Sequence, residues 1–176
     1  MRKRGLFAVL VVAIAAGFGN GQMAVVPDNP AIDMNGFLRI AGDAAKNRET
    51  RRLTEDDFIK MAAEKDVVVL DARSKQKYDE LHIKGAVNLS FPDITVASLA
   101  RLLPDKNTRI LIYCNNNFAG AEQPFPMKVA PASLNISTYI SLYTYGYRNI
   151  YELGPLLDIS KTKLVLVPTP KSIAAK

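Results

Sequence analysis

Arg109-Ile110-Leu111-Ile112-Tyr113-Cys114-Asn115-Asn116-Asn117 is the stretch whose reading decides the fold. A run rich in β-branched and aromatic residues, then an abrupt polar cluster, predicts a buried strand over 109–113 that empties into a loop. Cys114 then stands at the carboxyl end of a central strand, where open α/β sheets place their ligand sites. Asparagine tolerates left-handed backbone angles, so Asn115, Asn116 and Asn117 together predict a curl with its N–H groups pointing inward. Such a nest of donors attracts anions and activates a thiol.

Working outward, the neighbouring segments alternate in type. Thr54-Glu55-Asp56-Asp57 has an N-cap hydroxyl with a carboxylate three residues on, and predicts a short helix to about Ala63. The run Asp66 to Leu70 predicts a strand buried on both faces. Ser74 is placed to cap a helix over Lys75–Leu81, Ala86–Leu89 reads as a short strand, and Thr95–Leu103 as a helix stopped by Pro104. A longer helix is expected over Ala132–Tyr145, with Gly146 where a left-handed residue ends it, and then a strand over Arg148–Leu153. Strands alternating with helices at short spacing predict a parallel sheet covered on both faces. Residues 22–52 contain Pro27, Pro30, Gly36 and Gly42, which break any long period and predict a loosely packed N-terminal extension. In the tail, residues 159–176, the run Leu164–Val167 is expected as an edge strand or a loose end.

Composition excludes several classes. A hydrophobic fraction of 48% and a charged fraction of 23% suit a globular domain with its own core. Met1-Arg2-Lys3-Arg4 followed by the uncharged apolar run Gly5–Ala16 and then small residues predicts a signal peptide over 1–21. The run is short for a membrane span, which takes about 20 residues; an uncleaved anchor is the alternative. The expectation is an exported protein, periplasmic or secreted, with no stable membrane association once the signal is removed. The net charge is +6, of which Arg2, Lys3 and Arg4 supply three, so the mature chain makes no case for nucleic acid. A lone cysteine in an oxidising compartment has no internal partner, so the domain stands on its core.

Four pieces of this sequence together resemble the rhodanese domain. They are Asp71-Ala72-Arg73 after the buried strand, His82-Ile83-Lys84-Gly85-Ala86-Val87-Asn88-Leu89 after the helix, Ile112-Tyr113-Cys114, and the closing segment Tyr145-Gly146-Tyr147-Arg148-Asn149-Ile150-Tyr151-Glu152-Leu153. The resemblance implies a rhodanese-like three-layer α/β domain over 53–158, with a central parallel sheet flanked by helices. It also implies that Cys114 is catalytic, taking a sulfane sulfur as a persulfide and handing it to a nucleophilic acceptor. The partners implied are a small sulfur-containing anion or thiol and a sulfur-acceptor protein; no cofactor and no metal are expected.

Backbone N–H groups at a helix N-terminus serve such a sulfur without a second catalytic side chain. The expected substrate-binding set is therefore Asn115, Asn116, Asn117, Phe118 and Ala119, joined by Lys128 and Arg73. Asp71 and Arg73 sit two apart on a strand end, pointing the same way; an ion pair fixing the loops is the main expectation and anion binding by Arg73 the alternative. His82 and Gly85 are expected to support the turn, with the ring bonding backbone and not acting as a base.

One departure from the family pattern stands out. Family members commonly close a compact loop on the cysteine with an arginine where this chain has Ala119, and then enter the helix. Here residues 118–131 read as an inserted loop, in which Pro124, Pro126 and Pro131 forbid regular helix. A loop of that length is usually a lid, a binding surface or a disordered flap. Phe118, Phe125 and Met127 are expected either to cover the site or to anchor the loop; Lys128 is expected either to be simply solvated, the main reading, or to swing over and replace the missing arginine charge. No arginine lies between Cys114 and Arg148, which argues against phosphatase chemistry, since that needs a guanidinium fork. Two alternatives to sulfur transfer remain: a non-catalytic binding module that uses the loop to recognise a partner or anion, and a thiol redox role through Cys114.

Overall fold

The strand at 109–113 is the centre of a five-stranded parallel sheet in the computed structural model, which describes residues 29–170. In chain order the elements are α1 (Met34–Arg48), β1 (Arg52–Leu53), α2 (Glu55–Ala62), β2 (Val67–Asp71), α3 (Lys75–Glu80), β3 (His82–Ile83), β4 (Val87–Asn88) and α4 (Val96–Leu102). They continue as β5 (Arg109–Tyr113), β6 (Phe118–Ala119), α5 (Leu134–Thr144), β7 (Ile150–Leu153), β8 (Leu157–Asp158) and β9 (Leu166–Val167). The sheet order is β1-β7-β5-β2-β4, with every pairing parallel. The expected signal segment, residues 1–21, lies outside the described residues.

Alternation along β5 explains why the run is apolar throughout. Ile110 and Ile112 face one side, where they pack with Leu70, Leu99, Tyr139, Leu142 and Ile150. Leu111 and Tyr113 face the other, against Phe58, Val69, Ile83, Phe118, Phe125 and Leu153. Successive strand residues point to opposite faces, so a strand covered on both has no polar position to spare. Each fully buried aliphatic side chain contributes roughly 1.5–3 kcal/mol relative to exposure.

The caps read from sequence are present. Thr54 accepts from the Asp57 N–H and Ser74 from the Lys77 N–H, while Thr95 and Ser98 form a reciprocal capping box at α4. Gly146 has φ +94, the left-handed residue that ends α5.

The extension departs from expectation. Instead of a loose stretch, residues 34–48 form a helix that packs against α5 and buries Ala44 in the core. Its glycines do not break it, because Asp33 caps the helix with an Oδ1 bond from the Gly36 N–H at 2.7 Å. A Cβ on Gly36 would lie 2.1 Å from that carboxylate, so any other residue there would make the capping side chain shift. Tertiary packing outweighs the cost of about 1 kcal/mol that a glycine in a helix interior carries. In the tail, Leu166 and Val167 pair antiparallel with Ile83 and His82. Among the described residues no helix is long and apolar enough to cross a membrane.

Candidate functional site

Strand β5 delivers Cys114 to the carboxyl edge of the sheet, and Asn115–Asn117 then form one turn of 3-10 helix. The left-handed curl expected there is absent: among the described residues only Asp66 has a positive φ without being glycine. Asn117 accounts for the right-handed turn. Its Oδ1 accepts from the Cys114 N–H at 2.9 Å, closing the turn from the C-terminal side. One main-chain amide therefore reaches the sulfur, the Asn116 N–H at 3.4 Å from Sγ, in place of a ring of amides.

The asparagine side chains bind protein instead of facing the thiol. Asn115 Nδ2 donates to the Pro126 carbonyl at 2.7 Å. Asn116 exchanges two bonds with the Lys128 backbone, donating to its carbonyl at 2.7 Å and accepting from its N–H at 3.1 Å. Asn117 Nδ2 lies within bonding distance of the carbonyls of Leu153 (2.8 Å) and Pro155 (3.1 Å), which ties the turn to the end of β7. The three residues act as a clamp on the chain that follows them.

That chain is folded in. Phe118 and Phe125 are buried with their ring centroids 4.5 Å apart, and β6 pairs in parallel with β8, Ala119 opposite Asp158. Phe118 and Phe125 therefore anchor the segment on the face of the sheet opposite α5, while Met127 is exposed. Lys128 is exposed, and neither it, Phe118 nor Ala119 lines the cavity at Cys114.

Asp71 and Arg73 form a buried knot on that same face. Arg73 Nε and Nη2 meet the Asp71 carboxylate at 3.0 and 2.6 Å, Nη1 donates to Pro124 O at 2.8 Å, and Nη2 also reaches Leu81 O at 2.7 Å. Tyr113 OH donates to Asp71 Oδ2 at 2.5 Å and accepts from the Ile83 N–H. Burial first, and then the Asp71 charge, push the Tyr113 phenol well above its ordinary value. With its guanidinium committed in this way, Arg73 has no part in the Cys114 cavity. His82 Nδ1 lies 2.8 Å from the Tyr78 carbonyl, and its ring stacks on Tyr78 at 3.8 Å. Gly85 turns the chain at φ +87.

The cavity at the cysteine has a volume of about 280 Å³ and opens to solvent. Besides Cys114, its wall includes Arg48, Arg52, Ser133, Asn135 and Glu152. Glu152 is 1% exposed, and its Oε1 accepts from Arg48 Nη2 at 2.5 Å and Arg52 Nε at 3.1 Å. Ser133 occupies the N-cap position of α5 without making a cap bond; its hydroxyl lies 3.5 Å from Cys114 Sγ. The helix N-terminus and the two guanidinium groups make the cavity favourable to negative charge. Cys114 is 1% exposed, so reagents meet its sulfur through this cavity.

Arg48, Arg52, Ser133, Asn135 and Glu152 escaped sequence reasoning. Glu152 carries a readable sign, a carboxylate inside the otherwise apolar strand Ile150–Leu153. The arginines carry none, because Arg48 is 104 residues from the carboxylate that orients it.

Comparison with known proteins bears on the fold and the family. The Rhodanese-like domain family matches residues 54–153. A search of curated proteins gives no match. Among solved structures, a rhodanese with anions from E. coli is 21% identical with a TM-score of 0.40, covering 58% of this chain and 98% of that one. A protein from Bacillus halodurans is 20% identical with a TM-score of 0.46, over 67% of this chain and 76% of its own. A thiosulfate sulfurtransferase from Pseudomonas aeruginosa is 18% identical with a TM-score of 0.50, covering 75% of this chain and 23% of that one. At these identities the likeness is one of fold. The matched segment spans more than half of the sequence, and the chain belongs to the rhodanese-like domain family.

Proposed function

We propose that the protein is an exported sulfurtransferase that carries sulfane sulfur as a persulfide on Cys114. The observation that carries this reading is the position of Sγ: it borders a polar, cationic cavity, with the Asn116 N–H directed at it and the Ser133 hydroxyl beside it. Family membership supports the same chemistry. Export rests on the sequence of residues 1–21 alone.

In the first step the Cys114 thiolate attacks the outer sulfur of the donor. A new S–S bond forms at Sγ as the donor's own S–S bond breaks, and that electron pair leaves with the remainder of the donor, sulfite when the donor is thiosulfate. In the second, a thiolate or cyanide attacks the outer sulfur and Cys114 departs as a thiolate. The Asn116 N–H and the Ser133 hydroxyl hold the sulfur through both steps, and fixed donors of this kind need no reorganisation. Arg48 and Arg52 supply the positive charge for which Lys128 was the alternative source, drawing the anionic donor to the thiol.

The test is a mass measurement. Protein incubated with thiosulfate or a polysulfide should gain one sulfur, and a Cys114→Ser variant should gain none; thiocyanate formation from cyanide should follow the same pattern. An unchanged mass with both donors ends the sulfur-transfer reading.

A second reading, a rhodanese-fold binding module, rests on Met127 and Val129. Both are exposed apolar residues flanking Lys128, at the tip that Asn116 clamps. A partner docking there would be lost in a Met127→Asp, Val129→Asp variant that still accepts sulfur.

A further inference from the structure

Asn135, the second residue of α5, reaches away from its own helix. Its Nδ2 donates to Asn117 Oδ1 at 3.1 Å, the same oxygen that accepts from the Cys114 N–H at 2.9 Å. The Cys114 amide marks that atom as oxygen, so the end of Asn135 that meets it is the donor end. Asn117 is saturated by these contacts. Its oxygen takes two N–H groups, and its Nδ2 lies within bonding distance of the carbonyls of Leu153 and Pro155. Held at both ends, Asn117 is a fixed post on the turn at Cys114, and Asn135 is tied to it.

Residues 118–131 lie between that turn and the start of α5, so the chain itself does not set their spacing. Among the described residues two hydrogen-bonding contacts join the two pieces: Asn135 to Asn117, and Ser133 Oγ to Cys114 Sγ at 3.5 Å. The first is a buried bond between two amides. The second involves sulfur, a weak partner, and a hydroxyl that makes no cap bond to its own helix. Ser133 and Asn135 belong to one helical turn, so the Asn135 bond fixes how closely the hydroxyl approaches the sulfur.

Stability alone does not call for an asparagine here. Asn135 is buried, and its Oδ1 has no hydrogen-bond partner in the chain. A leucine of similar volume would remove that unmet acceptor. Losing Nδ2 would still leave Asn117 Oδ1 its bond from the Cys114 N–H, so the turn would keep its closure. We propose that Asn135 is a positioning residue for Cys114, holding α5 against the turn so that the Ser133 hydroxyl stays at the sulfur. Its part in turnover rests on the sulfur-transfer reading of this site, which it extends by one residue that touches neither the sulfur nor the donor.

The test uses the full-length protein and reads two rates. Alkylation of Cys114 by iodoacetamide at neutral pH reports on the thiol without sulfur transfer, and thiocyanate formation from thiosulfate and cyanide reports on turnover. Asn135→Leu should keep wild-type thermal stability. It should slow alkylation and lower kcat, each by about fivefold, the effect of one ordinary hydrogen bond. KM for thiosulfate should not change, because the arginines still gather the anion. In the Ser133→Ala background the same substitution should alter either rate by less than about twofold, since the hydroxyl it positions is gone. Lower stability with both rates at wild type would make Asn135 merely structural and overturns the proposal. An equal loss of rate with and without the Ser133 hydroxyl overturns it as well. Asn135→Ala supplies the same comparison if Asn135→Leu does not fold, and failure of both to fold also overturns it. If the wild-type protein forms no thiocyanate, the sulfur-transfer reading falls, and the alkylation comparison still decides the positioning.

Discussion

Arg73 lies across the ring of Phe125 at 4.2 Å while its Nη1 donates to the carbonyl of the preceding Pro124. The end of β2 thereby holds down the segment that follows Cys114, although 51 residues separate Arg73 from Pro124 in sequence. Cation–π contact, ring burial and a charge-assisted hydrogen bond act on one point. The segment is part of the domain's second core, and this changes what its removal should do.

Phe125→Ala should cost about 3–5 kcal/mol, the range for deleting a buried aromatic side chain. Chemical denaturation of the variant beside wild type measures this. Deletion of residues 119–130 should unfold the domain, since it takes Phe125 and the β6–β8 pairing with it. A folded deletion protein of wild-type stability would show that the segment is a detachable flap.

The Asp71–Arg73 pair should behave as a unit. Removing one partner leaves the other charged and buried, at a cost of about 3–5 kcal/mol. Asp71→Asn and Arg73→Met should each be severe, and the double variant less destabilised than the sum of the two. A double-mutant cycle reads the coupling directly. Strict additivity would contradict the buried-pair account.

Asp71 and Arg73 also show what a sequence does and does not reveal. Their spacing at a strand end announced a pair, but nothing local indicated Pro124, Leu81 or Phe125 as its other partners. The sheet was legible for the reason that β5 is: a continuous apolar run bounded by polar residues has few other fates. The helix Met34–Arg48 was hidden because its glycines and polar residues give a weak local signal, and its stability comes from Ala44 meeting α5. The triple asparagine misleads in a specific way. Asparagine's tolerance of left-handed angles points to a curl, whereas its side chains bond backbone, and bonds to Cys114, Pro126 and Lys128 set the geometry. Arg48, Arg52 and Glu152 meet only once β1 and β7 pair, so their cavity is a product of topology.

Alkaline pH should destabilise the domain. Burial raises the Tyr113 phenol well above its ordinary value, and burial raises Tyr139 too. The unfolded chain ionises these phenols near pH 10 while the folded one keeps them neutral. Their contribution is complete below about pH 10 and declines as pH climbs beyond it, because the folded state then binds more protons than the unfolded. Tyr113→Phe should flatten that decline, while costing about 1–3 kcal/mol at neutral pH through the donor lost from Asp71. Denaturation midpoints between pH 7 and pH 11 follow the effect; an identical alkaline slope in Tyr113→Phe would assign it elsewhere.

Arg52 is the partly exposed member of the pair held by Glu152, with 53% of its side chain accessible against 34% for Arg48. Its charge is therefore more screened, and its loss leaves Glu152 still paired with Arg48. For the proposed sulfur transfer, Arg52→Gln should raise KM for thiosulfate by severalfold and leave kcat near wild type, the pattern of a contact equal in ground and transition states. The effect should shrink as salt is raised, since screening removes the attraction that the variant lacks. Steady-state thiocyanate formation at low and high ionic strength distinguishes this from damage to the sulfur site, because a fall in kcat that ignores salt would place Arg52 in shaping the turn at Cys114 and not in gathering the anion.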